Sequence, residues 1–448
     1  MKAYDLKPTD ENLLNTLKDD TIERNASIFN FIRILDSLED SCSIALEGNW
    51  GSGKTFFVKQ TKMILDALNQ CSTKMDEPQK QAVIDVCKRS NNGERPNVQS
   101  HVCVYYDAWK NDNDDDPVLS LVYTILQDTN STFSFTKNVS FPKVAANILE
   151  FFSGRNWSGL IENLQRENPL DALKELKNIE DLIAEFLDSL LAERGNRLVV
   201  FIDELDRCKP SYAVKLLERI KHYFSNDRIT FVFSVNIYEL QHTIRKFYGD
   251  NFNGGRYLDR FFDLRISLPP VNLEKFYRSI NFGQEKAHYY SVSKEVIKIH
   301  RFELREITRY VRILKIATHN MVSTNSSYFN VENSIRFCVH CIVPIMIGLK
   351  IADAENYLAF IQGNNSAPLV TMGKKLPRYF TSRLSEVTEP PYSIANTLEK
   401  IYRFLFAESY DELISVRDIG NMRFNMDVKN TLLRVVGLLS EFTTTDID

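Results

Sequence analysis

Residues 48–55 read GNWGSGKT, directly after the apolar run CSIAL at residues 42–46. The spacing G-x-x-x-x-G-K-T is that of a loop whose backbone N–H groups surround a di- or triphosphate, because its glycines permit a tight turn. The run before it predicts a strand, and FFVKQTKMILDALNQ after it predicts a helix whose positive dipole end adds to the cradle. The stretch therefore predicts a nucleotide-binding loop; the alternative is a glycine-rich turn with an incidental lysine.

The phosphate contacts are assigned to this loop and the residue after it. We expect Lys54 to reach the β- and γ-phosphates and the Thr55 hydroxyl to bind Mg²⁺. The predicted nucleotide-binding residues are Gly48, Asn49, Trp50, Gly51, Ser52, Gly53, Lys54, Thr55 and Phe56. We predict ATP with Mg²⁺ rather than GTP, on the interpretation that the chain lacks an N/T-K-x-D element for guanine.

Composition is that of a large soluble protein: 448 residues, 44% hydrophobic and 25% charged, with a net charge of −4. A net negative charge provides no overall positive potential to attract nucleic acid, although it does not exclude a local basic patch. The N-terminus lacks the apolar core of a signal peptide, and the apolar stretch 337–351, interrupted by His340 and Pro344, predicts a buried helix rather than a membrane span. Scattered cysteines favour reduced thiols in the cytoplasm, with Cys338 and Cys341 in a core rather than at a metal.

Three further strands are predicted downstream of the loop. They are HVCVYYDAW at residues 101–109, RLVVFIDELDRC at 197–208 and ITFVFSVN at 229–236. Strands with near-continuous apolar runs, alternating with helices, indicate a parallel sheet covered on both faces. The polar stretch 72–100, between the first helix and the second strand, predicts a surface excursion.

Polar residues end two of these strands. Asp203 ends the most apolar strand and is predicted to hold Mg²⁺ together with Thr55. Glu204 follows it and is predicted to polarise the attacking water. Asn236 ends the next strand, which in the additional-strand topology lies between the loop strand and the Asp203 strand. There its amide is predicted to orient the water, the alternative being a turn former.

These features predict an α/β P-loop NTPase fold of the additional-strand class, with a parallel sheet flanked by helices, a helical insertion and a C-terminal all-helical region. The predicted organisation is a helical lead-in at 1–40, an NTPase core at 41–270 with an insertion at about 111–195, a helical lid or sensor subdomain at 271–330 and a helical domain at 331–448.

The order and style of EGNWGSGKT, YYDAWKND, VVFIDELDRCKP, FVFSVNIYEL, YLDRFFDLRISLPP and LREITRYVRIL resemble the KAP P-loop NTPases over roughly residues 20–320. Two elements depart from the family pattern: residues 106–109 read YDAW, beginning at Tyr106, where the family has an FNAW-like element, and Asn236 replaces the usual aspartate after the fourth strand. Animal members often carry membrane helices between the two nucleotide motifs. The insertion here reads as soluble, which resembles the bacterial and phage-related branch, several of whose members take part in phage exclusion or defence.

The function predicted from these residues is a cytoplasmic ATPase that switches an oligomer of itself, with a defence role and a separate effector implied by the resemblance alone. Arg260 is predicted to complete a neighbouring subunit's site, and Arg305 to act as a sensor within its own chain. Arg207 is predicted to pair with Asp203 or Asp206. The alternatives are surface ion pairs for the arginines. The alternative functions for the whole protein are a nucleotide-gated scaffold with little hydrolysis and an ATP-driven nucleic-acid remodeller.

Overall fold

The protein is described by a computed structural model that covers residues 6–114, 116–130, 183–184, 186–224, 226–283, 289–323, 333–384, 394–407, 416–419, 422–425 and 427–437. The described residues fall into two compact units, one within residues 6–276 and one within residues 277–448. Most of the predicted helical insertion, residues 131–182, lies outside the described residues.

The first unit is built on a five-stranded sheet. Its strands are β1 (Cys42–Glu47), β2 (His101–Asp107), β3 (Arg197–Asp203), β4 (Ile229–Val235) and β5 (Leu264–Ser267). They pair in the order β2-β3-β4-β1-β5, and every pair is parallel. The predicted parallel sheet is confirmed, as is the placement of β4 between β1 and β3.

Helices cover the sheet on both faces. They are α1 (Asp10–Lys18), α2 (Asn25–Asp36), α3 (Lys54–Leu68), α4 (Glu77–Ser90), α5 (Pro117–Asn130), α6 (Pro210–Tyr223), α7 (Ile237–Tyr248) and α8 (Gly254–Leu258). Alternate residues of β3 enter different cores: Val200 and Ile202 pack with α5 to α7, whereas Val199 and Phe201 pack with α1 to α4. A strand buried on both faces needs apolar residues at every position, which explains the continuous run in the sequence.

The polar stretch 72–100 contains helix α4, which sequence analysis missed. Asp76 caps its N-terminus by accepting the N–H of Gln79 at 2.8 Å. Val83, Ile84, Val86 and Cys87 are buried, whereas most other residues of α4 are polar or charged. The predicted surface excursion is therefore wrong for these residues, because a narrow apolar stripe is enough to hold a helix against the core.

Buried charges fix α3, the helix that follows the nucleotide loop. Asp66 is 5% exposed and accepts Lys62 at 2.9 Å, with Lys74 at 3.8 Å. Lys74 also meets Asp128 of α5 at 3.1 Å and donates to the Cys103 carbonyl of β2 at 2.8 Å. The charges neutralise one another and join α3 to β2 and α5.

The second unit consists mainly of helices, as predicted for the C-terminal region. They are α10 (Tyr290–His300), α11 (Leu304–Ser323), α12 (Asn333–Phe337), α13 (Val343–Ala352), α14 (Ala354–Ile361), α15 (Ala367–Lys375), α16 (Pro377–Leu384), α17 (Ile394–Tyr402) and α18 (Asp427–Gly437); α9 (Leu273–Ser279) spans the boundary between the units. An antiparallel ribbon, β6 (Val416–Ile419) with β7 (Met422–Asn425), was not identified from sequence.

The apolar stretch Asn333–Ala352 is long and apolar enough to cross a membrane, yet 72% of its apolar window is buried inside the protein. It consists of α12, a π-helical turn at Cys338–Ile342, and α13. The wide turn comes directly before Pro344, a residue that cannot donate a helical hydrogen bond. Cys338 and Cys341 are fully buried. The stretch is thus the buried helix that sequence analysis predicted, and this fits a soluble protein.

Candidate nucleotide-binding site

The nucleotide loop leaves the sheet at the end of β1. The N–H of Gly48 donates to the Val235 carbonyl of β4 at 3.2 Å. A Cβ at Gly48 would meet the Ser52 hydroxyl oxygen at 2.9 Å, so the turn has no room for a side chain there. Gly53 begins α3 in the left-handed region, with φ 93°, which favours glycine. The loop is therefore shaped by the glycines that the motif predicts.

Lys54 lies across this loop. It is only 8% exposed, and its ammonium donates to the carbonyls of Gly48 at 2.7 Å and Asn49 at 3.1 Å. Burial lowers the pKa of Lys54, and the nearby carboxylates of Asp206 and Asp203 oppose this by raising it. The charge is thus already withdrawn from water and held by the loop carbonyls of Gly48 and Asn49.

Thr55 and Asp203 form the second part of the site. The Thr55 hydroxyl donates to Oδ2 of Asp203 at 2.7 Å, and the Tyr105 hydroxyl donates to the same atom at 2.9 Å. Asp203 is 1% exposed. A buried carboxylate next to a hydroxyl offers the hard oxygen ligands that suit Mg²⁺ completed by phosphate and water. The two residues predicted to hold the metal are in direct contact, whereas the described residues contain no cluster of three or more His, Cys, Asp or Glu suited to a metal.

Tyr105 is a residue that sequence analysis did not assign to the site. It lies on β2, beside Phe201 of β3 in the parallel register. Burial, followed by the charge of Asp203, raises the pKa of Tyr105, so its hydroxyl remains a donor. The polar-aromatic end of β2 was the available signal, but sequence alone did not say which of its aromatic side chains faces Asp203.

Glu204 adopts a strained backbone conformation directly after β3. Its φ is 61°, in the left-handed region, and its N–H donates to Oδ1 of Asp203 at 3.1 Å. Its carboxylate is 2.5 Å from Nε of Arg207. Desolvation and the charge of Asp203 raise the pKa of Glu204 to about 6, although Arg207 lowers it. The predicted pairing of Arg207 with Asp203 or Asp206 is wrong, because the short turn at Leu205–Arg207 brings it back to Glu204.

Asp206 is held by the tryptophan of the loop. The Trp50 indole N–H donates to Oδ2 of Asp206 at 2.5 Å, and Asp206 is 5% exposed. Burial raises the pKa of Asp206, an effect that Trp50 and Lys54 oppose. The tryptophan within the loop therefore joins the loop to the segment after β3.

Asn236 lies between β4 and α7. Its Oδ1 accepts the N–H groups of Tyr238 at 3.2 Å and Glu239 at 3.4 Å, so it caps α7. The capping function corresponds to the turn-forming alternative, and the water-orienting function would have to use the side-chain NH₂.

Arg24 supports the loop from outside the predicted motif. Its Nη1 donates to the Ser52 carbonyl at 2.8 Å and its Nε to the Pro269 carbonyl at 2.8 Å. Ser52 in turn donates its hydroxyl to the Asn49 carbonyl at 2.7 Å. Sequence analysis missed Arg24 because it lies far from the loop in sequence.

The two predicted distal arginines lie outside the nucleotide loop and the segment after β3. Arg260 follows α8 and Arg305 lies in the first turn of α11 in the second unit; both are exposed. No hydrogen bond or ion pair of the Arg260 guanidinium is found among the described residues, and its carbonyl accepts Lys221 at 2.6 Å. Their roles stay predictions.

One tetrapeptide does match the guanine pattern, contrary to the interpretation above: Thr73–Asp76 reads TKMD. Its lysine, Lys74, is engaged by Asp66 and Asp128, and Asp76 caps α4. Both side chains therefore have structural partners away from the loop, and the match gives no support for guanine.

A parallel sheet with a phosphate loop after β1, a carboxylate pair after β3 and an intervening β4 defines a P-loop NTPase of the additional-strand class. The chain belongs to the KAP family, whose P-loop domain matches residues 24–325. A stretch of 77 residues, 16% of this chain, is 35% identical to an uncharacterized protein of Methanocaldococcus jannaschii and covers 39% of it, so the chain matches well under half of that relative's length. The ORC2 protein of Aeropyrum pernix, solved as ADPNP–ADP complexes, aligns over 93% of this chain and 94% of its own, with a TM-score of 0.32 and 13% identity.

Proposed function

We propose that this nucleotide-binding NTPase of the KAP family binds ATP with Mg²⁺ and hydrolyses it. The observation that carries the proposal is the contact of Thr55 with Asp203 at 2.7 Å, beside a buried Lys54 and next to Glu204. Loop glycines alone would suit any phosphate ligand. A hydroxyl–carboxylate pair followed by a second carboxylate is what hydrolysis of a metal-bound triphosphate requires.

Each residue has a distinct task in this reaction. Lys54 exchanges its loop carbonyls for phosphate oxygens and neutralises their charge. Thr55 and Asp203 hold Mg²⁺, which when bound stabilises the charge that develops on the phosphates. Glu204 orients the attacking water and accepts its proton, and the side-chain NH₂ of Asn236 helps to place that water.

The nucleotide cycle is proposed to drive the association of several copies of the chain. A guanidinium stabilises the charge of the transferring phosphoryl group, and in P-loop enzymes it comes from the same chain or from a neighbour. Arg260 is exposed and its guanidinium makes no ion pair among the described residues, which suits a group that serves a neighbouring site. Arg305 is proposed to act within its own chain.

A cytoplasmic defence role with a separate effector protein is the biological setting that we propose. It rests on the resemblance to the phage-related branch of the family, which is a weaker basis than the chemistry of the site. The separate effector protein is proposed on the same resemblance.

The decisive experiment measures phosphate release by the purified protein with ATP and with GTP, in the presence and absence of Mg²⁺. We expect Mg²⁺-dependent release from ATP, and a loss on the order of a hundredfold or more in Glu204→Gln, because an amide fills the same volume but cannot accept the proton. ATP binding by Glu204→Gln should remain near the wild-type level. ATP binding without release by the wild type would identify the nucleotide-gated scaffold instead.

A further inference from the structure

The guanidinium of Arg207 lies between two tryptophan rings at the border of the nucleotide loop. Its Cζ is 5.6 Å from the ring centroid of Trp50 and 5.5 Å from that of Trp109. At these distances a cation is attracted to the electron-rich face of the ring. Trp50 belongs to the loop and Trp109 follows β2, so two separate segments hold the same arginine.

The same guanidinium restrains Glu204. Nε of Arg207 is 2.5 Å from Oε2 of Glu204, and the two side chains are 22% and 20% exposed. Among the described residues no hydrogen bond to the other carboxylate oxygen, Oε1, is found. One oxygen is thus fixed by the arginine, and the other is available to accept a proton from water.

A restraint of this kind has value for catalysis. A free glutamate side chain populates several rotamers, and fixing it in the one rotamer that faces the water would cost conformational entropy in each turnover. The backbone at Glu204 is already held in a left-handed conformation, and its N–H is bonded to Asp203 at 3.1 Å. Arg207 adds the restraint on the side chain that the backbone cannot provide.

We propose that Arg207, held between Trp50 and Trp109, is a positioning residue that keeps Glu204 oriented toward the attacking water. This inference rests on the proposed hydrolysis, in which Glu204 is the base. Because the Trp50 indole also donates to Asp206 at 2.5 Å, the loop and the turn that carries Arg207 are joined twice. These two contacts tie the position of the turn, and with it that of Glu204, to the position of the loop.

The test separates turnover from binding. Arg207→Gln should lower turnover at saturating ATP about 10- to 100-fold, the effect of a catalytic group misplaced by an ångström, while the Kd for ATP changes less than about twofold. Arg207→Lys keeps the positive charge but loses the planar guanidinium with its several N–H donors. Its turnover should lie between that of the wild type and that of Arg207→Gln. Lys215→Gln, which removes an exposed charge on α6, is the matched control and should match the wild type.

Trp109 provides a second pair of variants outside the nucleotide loop. Trp109→Leu should lower turnover about two- to five-fold through the loss of one cation–π contact, and Trp109→Phe should restore most of it. Thermal unfolding checks that both variants are folded. Equal turnover in the two folded variants would mean that the ring face does not hold Arg207.

A double variant decides whether Arg207 acts through Glu204. In a Glu204→Gln background, Arg207→Gln should cause no further loss, because the group that it positions is already gone. A further loss in the double variant would overturn the positioning role. So would turnover at or above the wild-type level in the single Arg207→Gln variant while Glu204→Gln is inactive. Either result leaves the proposed hydrolysis intact. Wild-type turnover of Glu204→Gln would instead remove the base assignment itself, and this inference with it.

Discussion

Removing the ammonium of Lys54 should weaken ATP binding strongly. The side chain is 8% exposed in the free protein, so little further desolvation is needed when phosphate arrives. It contributes hydrogen bonds to charged acceptors, each worth about 1.5–3 kcal/mol. We expect two such bonds, one to each of the β- and γ-phosphates.

The net effect is smaller than the sum of these bonds. In the free protein the same ammonium donates to the Gly48 carbonyl at 2.7 Å and the Asn49 carbonyl at 3.1 Å, and both bonds are exchanged on binding. Bonds to neutral acceptors contribute about 1 kcal/mol each, which leaves a net of roughly 1–4 kcal/mol. Lys54→Ala should therefore raise the Kd for ATP between about fivefold and a thousandfold.

Titration calorimetry with ATP and Mg²⁺ measures this change, with Glu204→Gln as the background so that ATP is not consumed. Lys215→Ala, which removes an exposed lysine of α6, is the control for loss of a positive charge. Thermal unfolding checks that the variant is folded. A Kd within about twofold of the control would refute the assignment of Lys54 to the phosphates, and with it the identification of the loop as the nucleotide site.

The remaining predictions concern the metal, the neighbouring subunit and the stability of the sheet unit. Asp203→Asn should raise the Mg²⁺ concentration for half-maximal hydrolysis about tenfold or more, since a neutral amide replaces the buried carboxylate; an unchanged Mg²⁺ titration would contradict the metal assignment. Arg260→Ala should bind ATP normally but hydrolyse it poorly, and mixing it with Lys54→Ala should restore part of the activity; co-assembly without rescue would exclude a role in the neighbouring site. Asp66→Asn should destabilise the protein by about 3–5 kcal/mol in denaturant unfolding, because Lys62 and Lys74 would then share one carboxylate, Asp128, among the described residues; a loss below about 1 kcal/mol would mean that the charges are solvated.

The sheet could be predicted from sequence because each of its long strands is recognisable from a short contiguous stretch of residues. Each of the four predicted strands, β1 to β4, is a mostly apolar run with a polar residue at or just after its end, as Asp203 is at the end of β3, whereas the short strand β5 was not predicted. The position of β4 followed from the additional-strand class and is confirmed by its pairing with both β1 and β3. Helix α4 was missed because its apolar residues are confined to the short cluster at 82–87, within a stretch that is otherwise polar and charged.

The contacts within the site could not be predicted, because they depend on distance in space rather than on spacing in sequence. Arg207 was assigned to Asp203 or Asp206, since both are near it in the chain, but the short turn after β3 brings it to Glu204 at 2.5 Å. Trp109 was read only as part of a family element, although its ring lies against that guanidinium. The position of Arg207 in both contacts is set by the short turn at Leu205–Arg207.

The wrong partner for Arg207 changes how the site is understood. An arginine bonded to Asp203 would compete with Mg²⁺ for the buried carboxylate, so a pairing there would weaken the metal site. The observed pairing leaves Asp203 to Thr55 and Tyr105, which are neutral donors at 2.7 and 2.9 Å. The negative charge of Asp203 is therefore left without a cationic partner among the described residues and is available to the proposed metal, whereas the positive charge of Arg207 pairs with the neighbouring glutamate. The turn at Leu205–Arg207 thus separates two adjacent carboxylates into different chemical environments, one suited to a cation and one to a water molecule.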